Sequence, residues 1–535
     1  MQFFSWFATS ALIAVGVAVF TRQRGWGMAL PVLLAGVVSG FLPFAPSAPP
    51  DPEIILAVIL APLVFGEALG SSYLDLRRVR KPVLTLAIGL VLATTLLIGG
   101  ALSLMVTAPI ALLFALGAVL APTDAVAVSS VAKRASLDRR LVSILEGESL
   151  VNDGTGLTLL RVAVIALLAG TVTVGQVAGV LALSVIGGVA VGAVGGWLVA
   201  RVSARTADTV ASNALIIIAP FVIYLAAERV NGSGILAVVI AALWIAHAQS
   251  SDTAHTARFQ GVQIWKQLTF LLQAMAFFLV GLELTDTLTQ LGSGEWPLIA
   301  GISAAVVVLL IAIRFVFVFA MIGYLRLRGR EVRESGMLRG AAVISWAGAR
   351  GPVSGLAAFS IPLAMEDGTA IPYREALLCV TFIVILVTLI LAQSLGPVAR
   401  WLKVTSADDG SMERRVNIEL IRAALERLDD EESQADLRGA PLPAAAVAKI
   451  RSEFQLTLDH LLAHHEHDEQ HDAHSESESD HDHAAHTMRE LEMSMLRAEE
   501  EELVRIRDDE SLPDGVFRTL LHQIDLRREA LRNSR

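Results

Sequence analysis

The chain has 535 residues, 54% of them hydrophobic, and a formal net charge of −10. The charge is uneven: residues 1–401 carry 25 basic against 20 acidic side chains, whereas residues 402–535 carry 17 against 32. The apolar excess excludes an ordinary soluble domain for the first part, the acidic balance leaves the second no basic surface for nucleic acid, and one cysteine, Cys379, excludes an internal disulfide.

A membrane-crossing helix needs roughly 17–25 mostly apolar residues. Thirteen segments predict such spans: 3–20, 28–44, 53–70, 82–106, 109–132, 140–169, 175–200, 209–228, 233–250, 263–284, 297–325, 337–364 and 376–400. The first lacks a basic flank before it and has Arg22 and Arg24 after it, so it reads as a retained helix and not a cleaved signal peptide. Basic residues orient the set. Arg77, Arg78, Arg80 and Lys81 follow span three; Lys133, Arg134, Arg139 and Arg140 follow span five. Arg201 and Arg205 follow span seven, and Arg326, Arg328, Arg330 and Arg333 follow span eleven. The loops after even-numbered spans carry Asp51, Asp286, Glu295, Glu366 and Asp367. The expected topology places the N-terminus outside and residues 402–535 in the cytoplasm.

Two spans contain breakers. Pro122 interrupts span five, just before Thr123 and Asp124, because proline removes a backbone donor and clashes with the preceding turn. Span twelve carries Gly348, Gly351 and Pro352 at a matching depth. Spans five and twelve are seven apart and enter from opposite sides. That relation is expected of two inverted six-helix repeats, spans 1–6 and 8–13, joined by span seven. Broken helices at matching positions of two halves point to a transport site.

Polar residues in the same spans sharpen the reading. An ionised carboxylate at a bilayer centre costs about 2.5–3.5 kcal/mol, yet Asp124, Glu148 and Asp153 lie in two successive spans. Carboxylate, hydroxyl and carbonyl oxygens suit a hard cation such as Na⁺. On span six, Glu148 and Asn152 are four residues apart, as are Ser149 and Asp153, which puts both pairs on adjoining strips of one face. Asp153 is the expected carrier, alternately holding a cation and a proton. Asp124, Ser149 and the Thr123 carbonyl complete an oxygen shell, with Glu67 of span three as an outer ligand. Asn152 does not titrate and is expected to hold the broken segments together. Arg314 of span eleven needs a buried partner, for which Glu148 is the candidate. Arg350 is placed to compensate an exposed helix C-terminus. Glu228 and Arg229 read as interfacial and Glu146 as lining a cytoplasmic funnel; Arg161 and Glu283 receive no assignment.

Pro122–Val128 (PTDAVAV) and Glu146–Asp153 (EGESLVND) resemble the sodium–proton exchanger family of cation–proton antiporters, of the NhaP type found in bacteria. Phe278–Leu282 (FLVGL), Trp346–Gly351 (WAGARG) and Ala227-Glu228 followed by Ser233–Ala237 (SGILA) match it as well, so the resemblance covers the whole of residues 1–401. It implies an all-α polytopic membrane protein: a homodimer in the bacterial plasma membrane, with an interface domain (spans 1–3 and 7–10) and a core (spans 4–6 and 11–13) that moves like an elevator. It also implies Asp153 as the exchanging carboxylate, Thr123, Asp124, Ser149 and Glu67 around the ion, Asn152 as a bridge and Glu148 paired with Arg314. An Asn-Asp pair at 152–153 goes with electroneutral exchange of one cation per proton. Ala125 stands where many members have a second proline.

In the acidic tail, 412–428, 444–462, 488–507 and 514–532 predict helices, the last opened by Pro513 with Ser511 nearby. Residues 460–486 hold nine of the twelve histidines among Asp, Glu and Ser, a composition expected of a solvated linker, with divalent-metal binding or pH sensing as the alternative. No cofactor is expected. K⁺ in place of Na⁺ stays open, because oxygen ligands alone do not fix ionic radius. A cation channel or a membrane enzyme are the remaining classes; the chain has no phosphate-binding Gly loop and no nucleophile elbow.

Overall fold

The computed structural model describes residues 2–42, 52–71, 73–124, 137–169, 173–206, 208–249, 255–292, 294–327, 334–362, 364–365, 369–404, 409–438, 442–462, 481–509, 512 and 514–533. The chain divides into two compact units, Met1–Ser406 and Ala407–Arg535. Among the described residues every element is helical apart from one isolated bridge between Ala364 and Ala370.

The first unit opens with α1 (Gln2–Gln23) and α2 (Ala29–Gly40). Helix α3 covers 52–70 and α4 covers 80–105, each with one π-helical stretch, at Leu56–Leu60 and Thr85–Leu90. Then come α5 (Ile110–Leu120), α6 (Arg139–Ala169), α7 (Val174–Ser203), α8 (Thr209–Arg229), α9 (Gly234–Gln249), α10 (His255–Gln290) and α11 (Trp296–Leu327). Helices α12 (Glu334–Trp346) and α13 (Pro352–Ala358) are two halves of one interrupted element; α14 (Arg374–Ala392) and α15 (Leu395–Trp401) close the unit. Among the described residues seven helices are long and apolar enough to cross a membrane: Arg80–Met105, Arg140–Ala169, Gly175–Ser203, Thr209–Arg229, Gly261–Thr289, Trp296–Leu327 and Arg374–Ala392. Five shorter apolar helices accompany them, Phe7–Gln23, Ala29–Gly40, Leu56–Gly70, Ile110–Leu120 and Gly234–Ala248.

Helix starts follow their local chemistry. Thr173 opens α7 with a reciprocal capping box, its hydroxyl accepting from the Gln176 amide at 3.3 Å while Gln176 Oε1 accepts from the Thr173 amide at 2.8 Å. Small residues set the closest packing. Gly188, Gly192 and Gly196, one turn apart on α7, face the backbone of Ser233, Ala237 and Ala241. A methyl group on any of the three would overlap that backbone, so glycine is what lets α7 and α9 lie together. Gly36 of α2 and Gly281 of α10 meet in the same way. The opposite face of α7 exposes Leu183, Ile186, Val194 and Trp197, as a lipid-facing surface would.

Several predicted boundaries shift. Span thirteen is not continuous over 376–400: α14 ends at Ala392 and α15 starts at Leu395. Span two is helical only to Gly40, and the helix that begins span five ends at Leu120, just before the break expected at Pro122. Ala125, Lys133, Arg134, Asp51, Glu366, Asp367, Arg328, Arg330 and Arg333 lie outside the described residues, as do Ser511, Pro513 and 463–480 of the histidine-rich stretch.

In the second unit, α16 (Asp409–Leu437), α17 (Ala444–Leu462), α18 (His481–Asp509) and α19 (Asp514–Asn533) are all longer than or equal to the predicted tail helices, and α18 takes in the last histidines of the expected linker. Leu420, Leu503, Phe517 and Ile524 build one core and Leu428, Ile450 and Met495 another. Glu499 is fully buried against Arg527 at 2.5 Å, and burial pushes its carboxyl up against that cation's opposing pull.

Candidate functional site

The site is built where the chain leaving α5 meets the break between α12 and α13. After α5 the chain runs non-helically through Pro122, Thr123 and Asp124, because Pro122 has no N–H to continue the ladder. Between α12 and α13 the chain is non-helical over 347–351. The Asp124 amide donates to the Ala349 carbonyl at 2.9 Å, so each freed segment satisfies the other. Gly156 of α6 receives the Pro122 ring, and Gly351 receives the Asp124 side chain. A Cβ at either position would overlap its neighbour.

Arg350 fastens the crossing. Its Nε donates to the Leu120 carbonyl at 2.9 Å, the C-terminal carbonyl of α5, its Nη1 donates to the Gly348 carbonyl, and its amide donates to Thr388 Oγ1 at 3.2 Å. A guanidinium held against helix-terminal carbonyls compensates their partial negative charge.

Glu148 and Arg314 meet in the interior, 1% and 3% exposed by side chain, with Nη1 on Oε1 at 2.5 Å and Nη2 on Oε2 at 2.8 Å. This bidentate geometry is the strong form of an ion pair. Arg314 Nε also donates to the Ile344 carbonyl of α12 at 2.9 Å. Thr123 Oγ1 donates to Glu148 Oε1 at 3.2 Å and accepts from Asn152 Nδ2 at 3.0 Å. Asn152 therefore ties α6 to the break after α5, and Glu148 is occupied by structural partners.

Glu67, Thr123, Asp124, Ser149 and Asp153 line one small cavity, together with Gln273 and Phe277 of α10 and Gly351 to Ser354 of the second break. Asp153 is 3% exposed, and among the described residues no hydrogen bond or ion pair reaches its carboxyl. The carboxyl groups of Glu67 and Asp124 are close enough to repel it. Glu67 has one fixed partner, Gln273 Nε2 at 3.2 Å from its Oε1. Three acidic groups around one small cavity are stable together only when a cation or protons lie among them.

The nine residues expected to bind the ion or hold its site fall at or beside this crossing: five on the cavity wall, and Asn152, Glu148, Arg314 and Arg350 behind it. The pattern missed Gln273 and Ser354. Gln273 was visible as the last of three glutamines in span ten, and Ser354 follows the Gly351-Pro352 break by two residues. Glu228, read as interfacial, accepts from Arg161 at 3.1 Å and from the Gly234 amide at 3.0 Å. Arg161, unassigned from sequence, also donates to the Gly232 carbonyl at 3.2 Å.

Residues 8–401 match the family model described as sodium/hydrogen exchanger, transmembrane. The chain belongs to that family. Within the sodium/hydrogen exchangers it is 31% identical over 442 residues to the Na(+)/H(+) exchanger Rv2287 of Mycobacterium tuberculosis, covering 81% of this chain and 80% of that one. It is 32% identical to the sodium, potassium, lithium and rubidium/H(+) antiporter of Bacillus pumilus, covering 65% and 54%. The sodium proton antiporter MjNhaP1 of Methanocaldococcus jannaschii shares the fold, with a TM-score of 0.60 at 19% identity, covering 75% of this chain and 99% of that one. The family is one of membrane antiporters, and an exchanger needs what the crossing supplies: a polar site enclosed inside an apolar bundle.

Proposed function

We infer that this exchanger is a secondary antiporter moving Na⁺ or Li⁺ against H⁺ across the bacterial plasma membrane, electroneutrally and by elevator-type alternating access. The observation that carries the reading is Asp153, a buried carboxyl without a fixed partner on a cavity it shares with Asp124 and Glu67. A bound cation favours the ionised carboxyl and its departure favours the protonated one, so one group serves both ions in turn. Thr123, Asp124, Ser149 and Glu67 complete the cation's oxygen shell, while Asn152, Glu148, Arg314 and Arg350 hold the scaffold.

The same reading carries the topology: thirteen spans in two inverted repeats, N-terminus outside, tail in the cytoplasm. Spans 1–3 and 7–10 form the interface of a homodimer and spans 4–6 and 11–13 the moving core. The name of the Bacillus relative, which includes potassium and rubidium, favours K⁺/H⁺ exchange as the second reading.

The test is cation-dependent dissipation of a pH gradient in proteoliposomes with Na⁺, Li⁺, K⁺ and Rb⁺. Competition for one site predicts that apparent cation affinity falls about tenfold per pH unit below the pKa of the site, with the maximal rate little changed. An imposed membrane potential should leave the rate unaltered; a clear voltage dependence would require a second moving charge. Steady current without proton coupling would instead identify a channel.

A further inference from the structure

The oxygen shell read from sequence comes from α3, α6 and the first break, yet the cavity is also walled by Gln273 and Phe277 of α10 and by Gly351, Pro352, Val353 and Ser354. Ser354 is 2% exposed, and among the described residues its hydroxyl makes no hydrogen bond. Thr123 offers a contrast on the opposite wall: its hydroxyl already donates to Glu148 and accepts from Asn152, which leaves it little capacity for an ion. Pro352 opens α13 and has no N–H, so this helix start carries one backbone donor fewer than usual.

We propose that Ser354 is a specificity-determining cation ligand, whose hydroxyl oxygen closes the shell from the second broken helix and favours small cations. The inference rests on the cation-exchange reading above. Ion–dipole attraction grows as the distance shortens, so one extra oxygen at contact distance stabilises Li⁺ and Na⁺ more than K⁺ and Rb⁺. A hydroxyl oxygen beside three carboxyl groups also adds coordination without adding charge, which keeps one cation per proton.

The experiment is apparent KM for Li⁺, Na⁺, K⁺ and Rb⁺ in the pH-gradient assay, for full-length wild type, Ser354→Ala, Ser354→Cys and Ser354→Thr, with Asp153→Asn in parallel. The expected result is a rise of about five- to tenfold in KM for Na⁺ and Li⁺ in Ser354→Ala, where tenfold corresponds to about 1.4 kcal/mol. KM for K⁺ and Rb⁺ should change less than about twofold, and maximal rates likewise. Ser354→Cys preserves shape but offers a soft sulfur, a poor ligand for hard ions, and should follow Ser354→Ala. Ser354→Thr retains the hydroxyl and should restore the Na⁺ preference. Unchanged KM in both Ala and Cys, or an equal rise for all four cations, overturns the proposal while leaving cation exchange standing. Loss of all cation dependence in the wild type overturns both readings together.

Discussion

Asp153 and Glu67 lie on one cavity but differ in their attachments, and the difference separates their roles. Gln273 holds one Glu67 oxygen, whereas the Asp153 carboxyl has no fixed partner among the described residues. Asp153→Asn should therefore abolish exchange in proteoliposomes while leaving the detergent melting temperature unchanged or raised, since it removes a charge that burial disfavours. Retention of half or more of the exchange would rule out the assignment. Glu67→Gln should keep the maximal rate and raise the apparent cation KM by about five- to tenfold, the loss of one charged ligand of a shell. At this scale the sequence was informative because an ionisable group in an apolar span stands out. Gln273 and Ser354 were overlooked because neutral polar residues occur in membrane helices for packing reasons, and only their position on the cavity wall distinguishes them.

The two breaks act as one element. Gly351 is occupied on its Cβ side by the Asp124 carboxyl, and its φ of −114° is one that any residue adopts. The need for glycine is therefore one of space, not of backbone conformation. Gly351→Ala should displace Asp124 and reduce exchange by more than about tenfold, with the protein still inserted and extractable at normal yield. Normal exchange in that variant would mean the segment yields easily and the crossing is loosely held. Behind it, Glu148 and Arg314 are buried as a bidentate pair. Removing either one leaves an uncompensated buried charge, costing about 3–5 kcal/mol. Glu148→Ala and Arg314→Ala should each lower the melting temperature more than the double variant does; additive losses would show that the pair is not coupled. Proline and glycine made both breaks legible in sequence, because their effects are local. The bond from Asp124 to Ala349 was not, since it joins residues more than two hundred positions apart.

Across the whole chain the division falls at Ser406, and no group of the cavity lies beyond it. Truncation after Ser406 should therefore leave half or more of the cation-dependent exchange, measured in proteoliposomes at matched protein amounts. Complete loss would make the tail part of the transport cycle. Hydropathy placed most helices within a few residues, since the bilayer demands length and apolarity together. It failed where those demands relax: α2 stops short of its apolar run, and α14 and α15 divide one run. In the tail, periodicity marked four helices correctly, but composition could not show that Glu499 is enclosed among them.

The bond between the Asp124 amide and the Ala349 carbonyl gives the crossing a clock of its own. Amides in irregular backbone beside a polar cavity ordinarily trade hydrogen for deuterium quickly, because nothing holds them from water. This one is retained by a carbonyl from the other half of the bundle, and the Arg350 amide by Thr388 Oγ1. Peptides containing these two positions should take up label as slowly as neighbouring helix, and both should quicken together when either break is loosened. Synchrony of the two uptake curves, more than the slowness of either, would report that the crossing opens as a single unit.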